Sequence, residues 1–174
     1  MINRLIIITG SSRGIGKATA EIFLKGGESD LVIGVARTAA TETVPNFKGI
    51  QADLSHLEGC ENLLSQLAAF IAENTPQKLI LVNNAGRLGE VVPSYQTPPS
   101  DLAKTIFLNM TAPMILQNGL LTVSVEKAIP LEIVNISSGA AKHEYYGWSG
   151  YCSTKAGFLM AAQVLKFGNK SITS

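Results

Sequence analysis

The chain has 174 residues, of which 46% are hydrophobic and 16% charged, and its net charge is +1. That length holds one domain with a sizeable core, and the composition excludes a disordered chain. The near-neutral balance gives no reason to expect a nucleic acid or an anionic membrane as partner.

Leu5-Ile6-Ile7-Ile8 reads as a buried strand. Ile15, Ala18, Ile22 and Phe23 then mark one face of a helix that stops at Gly26-Gly27. Leu31 to Ala36 is the second strand, and Gly49 to Ala52 is a short third one. Ser55 followed by Glu58 has the form of a capping box. The helix it opens carries Leu63, Leu64, Leu67, Phe70 and Ile71. Leu79 to Val82 is the fourth strand, followed by a loop with Pro93, Pro98 and Pro99. A helical stretch runs from about Asp101 to the mid-120s. Leu131 to Ile136 is the fifth strand, and a last helix starts near Tyr151.

Continuously apolar strands separated by helices predict βαβ units and a parallel sheet covered on both faces. The expected fold is therefore α/β, a Rossmann-type doubly wound sheet of about five strands in one domain over 1–174. A complete dinucleotide fold of this type has about six strands. No stretch approaches the 18 or so unbroken apolar residues of a membrane span. The N-terminus lacks the long apolar core of a secretion signal. The glycosylation triplets at Asn109, Asn135 and Asn169 are accordingly taken as chance matches. Cys60 and Cys152 cannot build a disulfide framework, so a reducing, cytoplasmic setting is expected.

Thr9-Gly10-Ser11-Ser12-Arg13-Gly14-Ile15-Gly16 lies between the first strand and the first helix. In that position Gly10 permits the tight turn, Gly14 clears the way for a pyrophosphate, and Gly16 lets helix and strand pack closely. The helix N-terminus adds free N–H groups and partial positive charge. The expected cofactor contacts here are Gly10, Ser12, Arg13, Gly14, Ile15 and Gly16. The bland alternative is a tight βα turn with no ligand. Arg37 stands 21 residues beyond Gly16, with Ala36 rather than an acid before it. An acid at about this distance suits the ribose hydroxyl of NAD, whereas an arginine suits the 2′-phosphate of NADP. Arg13 and Arg37 therefore predict NADPH, unless both are solvated surface charges.

The loop TGSSRGIG, Asn83-Asn84-Ala85-Gly86, Ser138, and Tyr151-Cys152-Ser153-Thr154-Lys155 together resemble the short-chain dehydrogenase/reductase family, with Ser138 standing 13 residues before Tyr151. The stretches Ile136-Ser137-Ser138-Gly139 and Gly147-Trp148-Ser149-Gly150-Tyr151-Cys152 are similar to its sepiapterin reductase and benzil reductase branch. That branch reduces ketones and diketones with NADPH. The resemblance implies a catalytic set of Asn109, Ser138, Tyr151 and Lys155. It also implies cofactor contacts at Asp53, Asn84, Ala85, Gly86, Tyr151 and Lys155, with Asn83 bracing the central strands.

Residue chemistry supports the same set. Tyr151 and Lys155 share a helix face. A nearby ammonium favours the phenolate, so Tyr151 becomes a usable proton donor. Ser138 can hydrogen-bond a carbonyl oxygen where charge develops. Pro113 has no N–H to give the Asn109 carbonyl, which is then free to hold a water; the resemblance implies that this water relays protons to Lys155. Asp53 is expected to be spare, because Ser55 serves as the cap; otherwise it is a loop acid. His56 and His143 lack partners at metal spacing and carry no metal reading. Cys152 is assigned to packing. Tyr145, Tyr146 and Trp148 either wall a pocket for an aromatic substrate or pack as core.

The family continues beyond the Tyr151 helix with further strands and a substrate lid, and this chain has no strand pattern after Val164. Two readings follow. One is an NADPH-dependent reductase of a small carbonyl substrate, forming a homodimer through the Asn109 and Tyr151 helices. The other is a shortened homologue without turnover that binds nucleotide or a partner subunit.

Overall fold

The computed structural model describes residues 1–27, 29–38 and 44–168. Its strands are β1 (Arg4–Thr9), β2 (Leu31–Ala36), β3 (Phe47–Gln51), β4 (Lys78–Asn83) and β5 (Leu131–Asn135). They form one parallel sheet in the order β3-β2-β1-β4-β5. The main helices are α1 (Gly14–Leu24), α2 (Leu57–Asn74), α3 (Pro99–Ile106), α4 (Ala112–Lys127) and α5 (Ser149–Gly168). This is the Rossmann-type α/β sheet that the apolar runs predict.

Leu5 and Ile7 of β1 point into a core shared with Leu63, Leu67 and Ile71 of α2 and Leu116 and Leu120 of α4. Ile6 and Ile8 point the other way, into a second core with Val32, Ile80, Val82 and Ala20 of α1. Burial on both faces is why β1 shows no polar alternation. The edge strand β5 does alternate. Leu131 and Ile133 are buried, whereas Val134 is 38% exposed and Glu132 pairs with Lys78 at 2.6 Å. Among the described residues β5 pairs with β4 alone, so it is an edge. Cys60 and Cys152 are both free thiols.

Four local expectations are corrected. The first helix ends at Leu24 rather than at the glycines; Gly26 N–H instead bonds the Phe23 carbonyl at 3.0 Å. The third strand begins two residues early, because Phe47 pairs with Val32. Its ring packs where a side chain on Gly34 would stand, 2.6 Å from the place a Cβ would take, so Gly34 is what admits it. Ser55 is not the cap of α2. His56 is, with Nδ1 accepting the Gly59 N–H at 3.3 Å.

The long helical stretch is the fourth correction. Pro99 to Lys127 is continuous, but Phe107–Thr111 is a π turn in which Ala112 N–H donates to the Phe107 carbonyl five residues back. One extra residue in a turn rotates the helix face, a device common at functional sites. By length and composition this helix could cross a membrane. Its Ala112, Leu116 and Leu120 nevertheless pack into the sheet core.

Candidate active site

Strand order reverses at β1, with β2 on one side and β4 on the other. Ligands of open parallel sheets bind beyond the carboxyl ends of the strands at such a switch point. The two loops that leave these ends here are Gly10–Arg13 and Asn84–Val92.

The first loop is closed tightly from below. Gly10 has φ +69°, which favours glycine. A Cβ on Gly16 would sit 2.3 Å from the Gly10 carbonyl oxygen and 2.4 Å from Asn84 Nδ2. That Nδ2 donates to the carbonyls of Thr9 at 2.9 Å and Gly10 at 3.1 Å. The Thr9 hydroxyl accepts the N–H groups of Asn84 and Ala85, both at 3.0 Å. The outer side of the loop is open. Nothing lies within 4 Å of a Cβ on Gly14, and Ile15 is 61% exposed. Arg13 occupies the cap position of α1 without a side-chain capping bond. The first-turn N–H groups of α1 thus face outward with no side chain upon them, which fits a pyrophosphate.

Arg13 and Arg37 are both exposed. Asp53 is engaged rather than spare: its Oδ1 accepts the Ser55 N–H at 2.9 Å. That bond, together with nearby His56 and Arg37, holds its carboxyl below the ordinary value. A concavity of about 540 Å³ lies beside Asp53, His56, Asn62 and Gln66. It contains none of Asn109, Ser138, Tyr151 or Lys155.

Those four residues are carried by three neighbouring segments. Ser138 follows β5 and begins a short 3₁₀ turn, its Oγ accepting the Ala140 N–H at 3.2 Å. Accepting that bond leaves its own proton for a ligand. Ser138 is partly buried and Ser137 exposed. Tyr151 and Lys155 lie in the first turns of α5. Lys155 Nζ donates to the Ile136 carbonyl at 2.9 Å and stands 5.7 Å from the centre of the Tyr151 ring. Burial pulls its ammonium below the ordinary lysine value.

Asn109 is in the π turn and is only 2% exposed. Its Oδ1 accepts the Arg87 N–H at 2.8 Å, and its Nδ2 donates to the Arg87 carbonyl at 2.7 Å. Nδ2 also donates to Thr154 Oγ1 at 3.2 Å, and Thr154 donates to the Tyr151 carbonyl at 2.7 Å. The side chain is therefore a hub that joins the loop after β4 to the turn bearing Tyr151. Arg87, Thr154 and Thr9 are not singled out by sequence reasoning. Each acts through a partner distant in the chain, which no local motif reports.

Asn83 Nδ2 donates to Asn135 Oδ1 at 2.9 Å and braces β4 against β5. Ala85 is half-buried and Gly86 exposed on the same rim. Tyr145 stacks on Trp148 at 4.7 Å, and Trp148 meets Tyr151 edge-on at 5.6 Å. Tyr145 is 47% exposed, so this row is a wall open on one side rather than core. Among the described residues no group of His, Cys, Asp and Glu could hold a metal.

Residues 4–171 match the family model described as short chain dehydrogenase. The chain is 32% identical over 167 residues to benzil reductase ((S)-benzoin forming) of Bacillus cereus, covering 92% of this chain and 66% of that protein. It is 30% identical over 183 residues to sepiapterin reductase of Bos taurus, covering 97% of this chain and 68% of that protein. A crystal structure of a short-chain dehydrogenase/reductase from Burkholderia vietnamiensis superposes with a TM-score of 0.87 at 27% identity, over 98% of this chain and 81% of that one. The chain thus spans about two thirds of the length of the two reductases.

Proposed function

The chain belongs to the short-chain dehydrogenase family, and on that premise we propose that it reduces a carbonyl compound, a ketone or diketone, with NADPH. The observation that carries this reading is the docking of one helical turn against two other segments. The Tyr151–Lys155 turn is tied to the Ser138 segment through Lys155 and the Ile136 carbonyl. It is tied to Asn109 through Thr154. On this reading the Tyr151 phenol, the Ser138 hydroxyl and the Lys155 ammonium would act together at one rim of the switch-point crevice.

When bound, the cofactor supplies the hydride. Gly10, Ser12, Gly14, Ile15 and Gly16 would hold its pyrophosphate at the start of α1. Asp53, Asn84, Ala85 and Gly86 would flank the adenine and its ribose, and Lys155 the nicotinamide ribose. Ser138 would donate to the substrate oxygen, and Tyr151 would protonate it as charge develops. As the C=O π bond breaks on reduction at carbon, the Tyr151 phenol would give its proton to the oxygen and so complete the alcohol. Pro113 denies the Asn109 carbonyl an α-helical donor, so a water there would pass the replacement proton through Lys155. The aromatic wall of Tyr145 and Trp148 suits a substrate with an aromatic substituent. Two free cysteines accord with a reducing, cytoplasmic setting.

Arg13 and Arg37 favour NADPH over NADH, since a guanidinium forks onto a phosphate. Arg37→Asp is expected to reverse that preference in paired nucleotide titrations. Equal binding of both nucleotides by the unaltered protein would count against the NADPH assignment. Self-association is expected as well. Val125 of α4 and Met160, Val164 and Phe167 of α5 are exposed, Phe167 to 92%. Apolar patches of this kind associate. Light scattering at micromolar concentration should report a homodimer through the Asn109 and Tyr151 helices. A monodisperse monomer would refute this.

A further inference from the structure

We infer that the Arg87–Asp101 ion pair is a positioning element of this site, holding the loop after β4 against the helix that carries Asn109 and so setting the rim opposite Tyr151. The inference rests on the carbonyl-reductase reading for its kinetic consequence, but its geometric content stands apart from that reading.

Arg87 is held to one continuous helix at two points eight residues apart. Its backbone N–H and carbonyl are both taken by the Asn109 amide. Its guanidinium is taken by Asp101 Oδ1. The other oxygen of Asp101 accepts the Glu90 N–H at 3.0 Å, so one carboxylate grips the loop twice. Gly89, with φ +80°, fits between these grips, where a Cβ would stand 2.8 Å from both Asp101 Oδ2 and Thr105 Oγ1. The Asp101 side chain is only 12% exposed, unlike that of a solvated surface pair.

The segment so held borders the reacting groups. Leu88, Glu90, Asp101, Thr105, Trp148 and Tyr151 line one small cavity. Val91 packs beside Gly147, whose φ of +76° turns the chain into the Trp148–Tyr151 segment. Thr105 Oγ1 is buried there without a hydrogen-bond partner. Slack in the loop would move Asn109 through Arg87, and Tyr151 through Asn109 and Thr154. Displacement of a positioned group by a fraction of an ångström is costly to turnover while adding little to the cost of binding.

The test compares Asp101→Asn, Arg87→Gln and Arg87→Lys with the unaltered chain and with Tyr151→Phe. Trp148 is the only tryptophan and lines the cavity, so its quenching by acrylamide reports the rim without any need for turnover. Asp101→Asn and Arg87→Gln should raise that quenching and lower kcat for a diketone by about tenfold, with NADPH affinity unchanged. Arg87→Lys should keep kcat within about threefold of the original, because an ammonium still reaches the carboxylate. Unchanged quenching and kcat in both charge-removing variants, beside an inactive Tyr151→Phe, would overturn the inference and leave the reductase reading intact. An active Tyr151→Phe would instead defeat the assignment of Tyr151 as proton donor, and the quenching comparison would still decide the inference. Should Asp101→Asn fail to fold, Arg87→Gln on the partly exposed loop carries the same readouts. Loss of kcat only in step with nucleotide affinity and melting temperature would make the pair merely structural and overturn the inference too.

Discussion

Replacing Tyr151 with Phe is expected to lower carbonyl reduction by about 10²–10⁴-fold, the worth of one positioned proton donor. NADPH binding should stay close to that of the unaltered protein. The substitution removes one oxygen and keeps the ring. Trp148 would still meet that ring edge-on at 5.6 Å, and Lys155 would still donate to the Ile136 carbonyl. The turn that bears residue 151 is held by its backbone carbonyl, which accepts from Thr154 and not through the phenol. Folding and nucleotide affinity therefore have no reason to follow the rate down. NADPH oxidation with a diketone measures the first quantity, and a nucleotide titration measures the second. A variant that kept its rate in an active preparation would mean that another group supplies the proton.

Gly16→Ala is the second large effect. Its new methyl would lie 2.3 Å from the Gly10 carbonyl oxygen and 2.4 Å from Asn84 Nδ2. Neither neighbour yields cheaply. The first is backbone in a turn at positive φ, and the second already bonds the carbonyls of Thr9 and Gly10. The loop and the start of α1 must separate. Overpacking of this kind costs about 1–3 kcal/mol of stability. The larger expected loss is in binding, because the outward N–H groups of α1 would no longer sit in register with the Gly10–Arg13 loop. Nucleotide titration should show affinity reduced by at least an order of magnitude, with thermal melting a few degrees lower. Unaltered affinity would show that the loop does not cradle the pyrophosphate.

Strands β1, β2 and β4 are legible in the sequence because they are buried on both faces and so read as unbroken apolar runs. The beginning of β3 is not, since Phe47-Lys48 has no strand pattern. What fixes it is space above Gly34 on a different strand. The cap of α2 misleads for a similar reason. Ser55 is the better capping residue by type, but α2 begins at Leu57, so the cap position falls to His56, whose imidazole accepts the Gly59 N–H. A π turn of five residues leaves no periodicity to detect. The four motif residues stand out because family spacing preserves them. The bonds that organise them run from Arg87 to Asn109 and from Asn109 to Thr154, across 22 and 45 residues. Such pairs come together only through the sheet, and their side-chain types alone do not announce them.

The clamp of Asn84 on the glycine loop bears on how the chain matures during synthesis. Its two bonds to Thr9 and Gly10 span 75 and 74 residues. The β1 strand is among the earliest made, yet its flank against β4 is filled only after nearly half of the chain has emerged. Contacts of such long separation form late, because the intervening loop must first be closed. In a nascent chain, β1, β2 and β3 can pair, but the glycine loop has no floor until residue 84 arrives. A dinucleotide that requires this floor would have no site on the nascent chain until residue 84 is in place. Before that point it could not guide folding, and from then on it would stabilise the paired β1 and β4 by mass action.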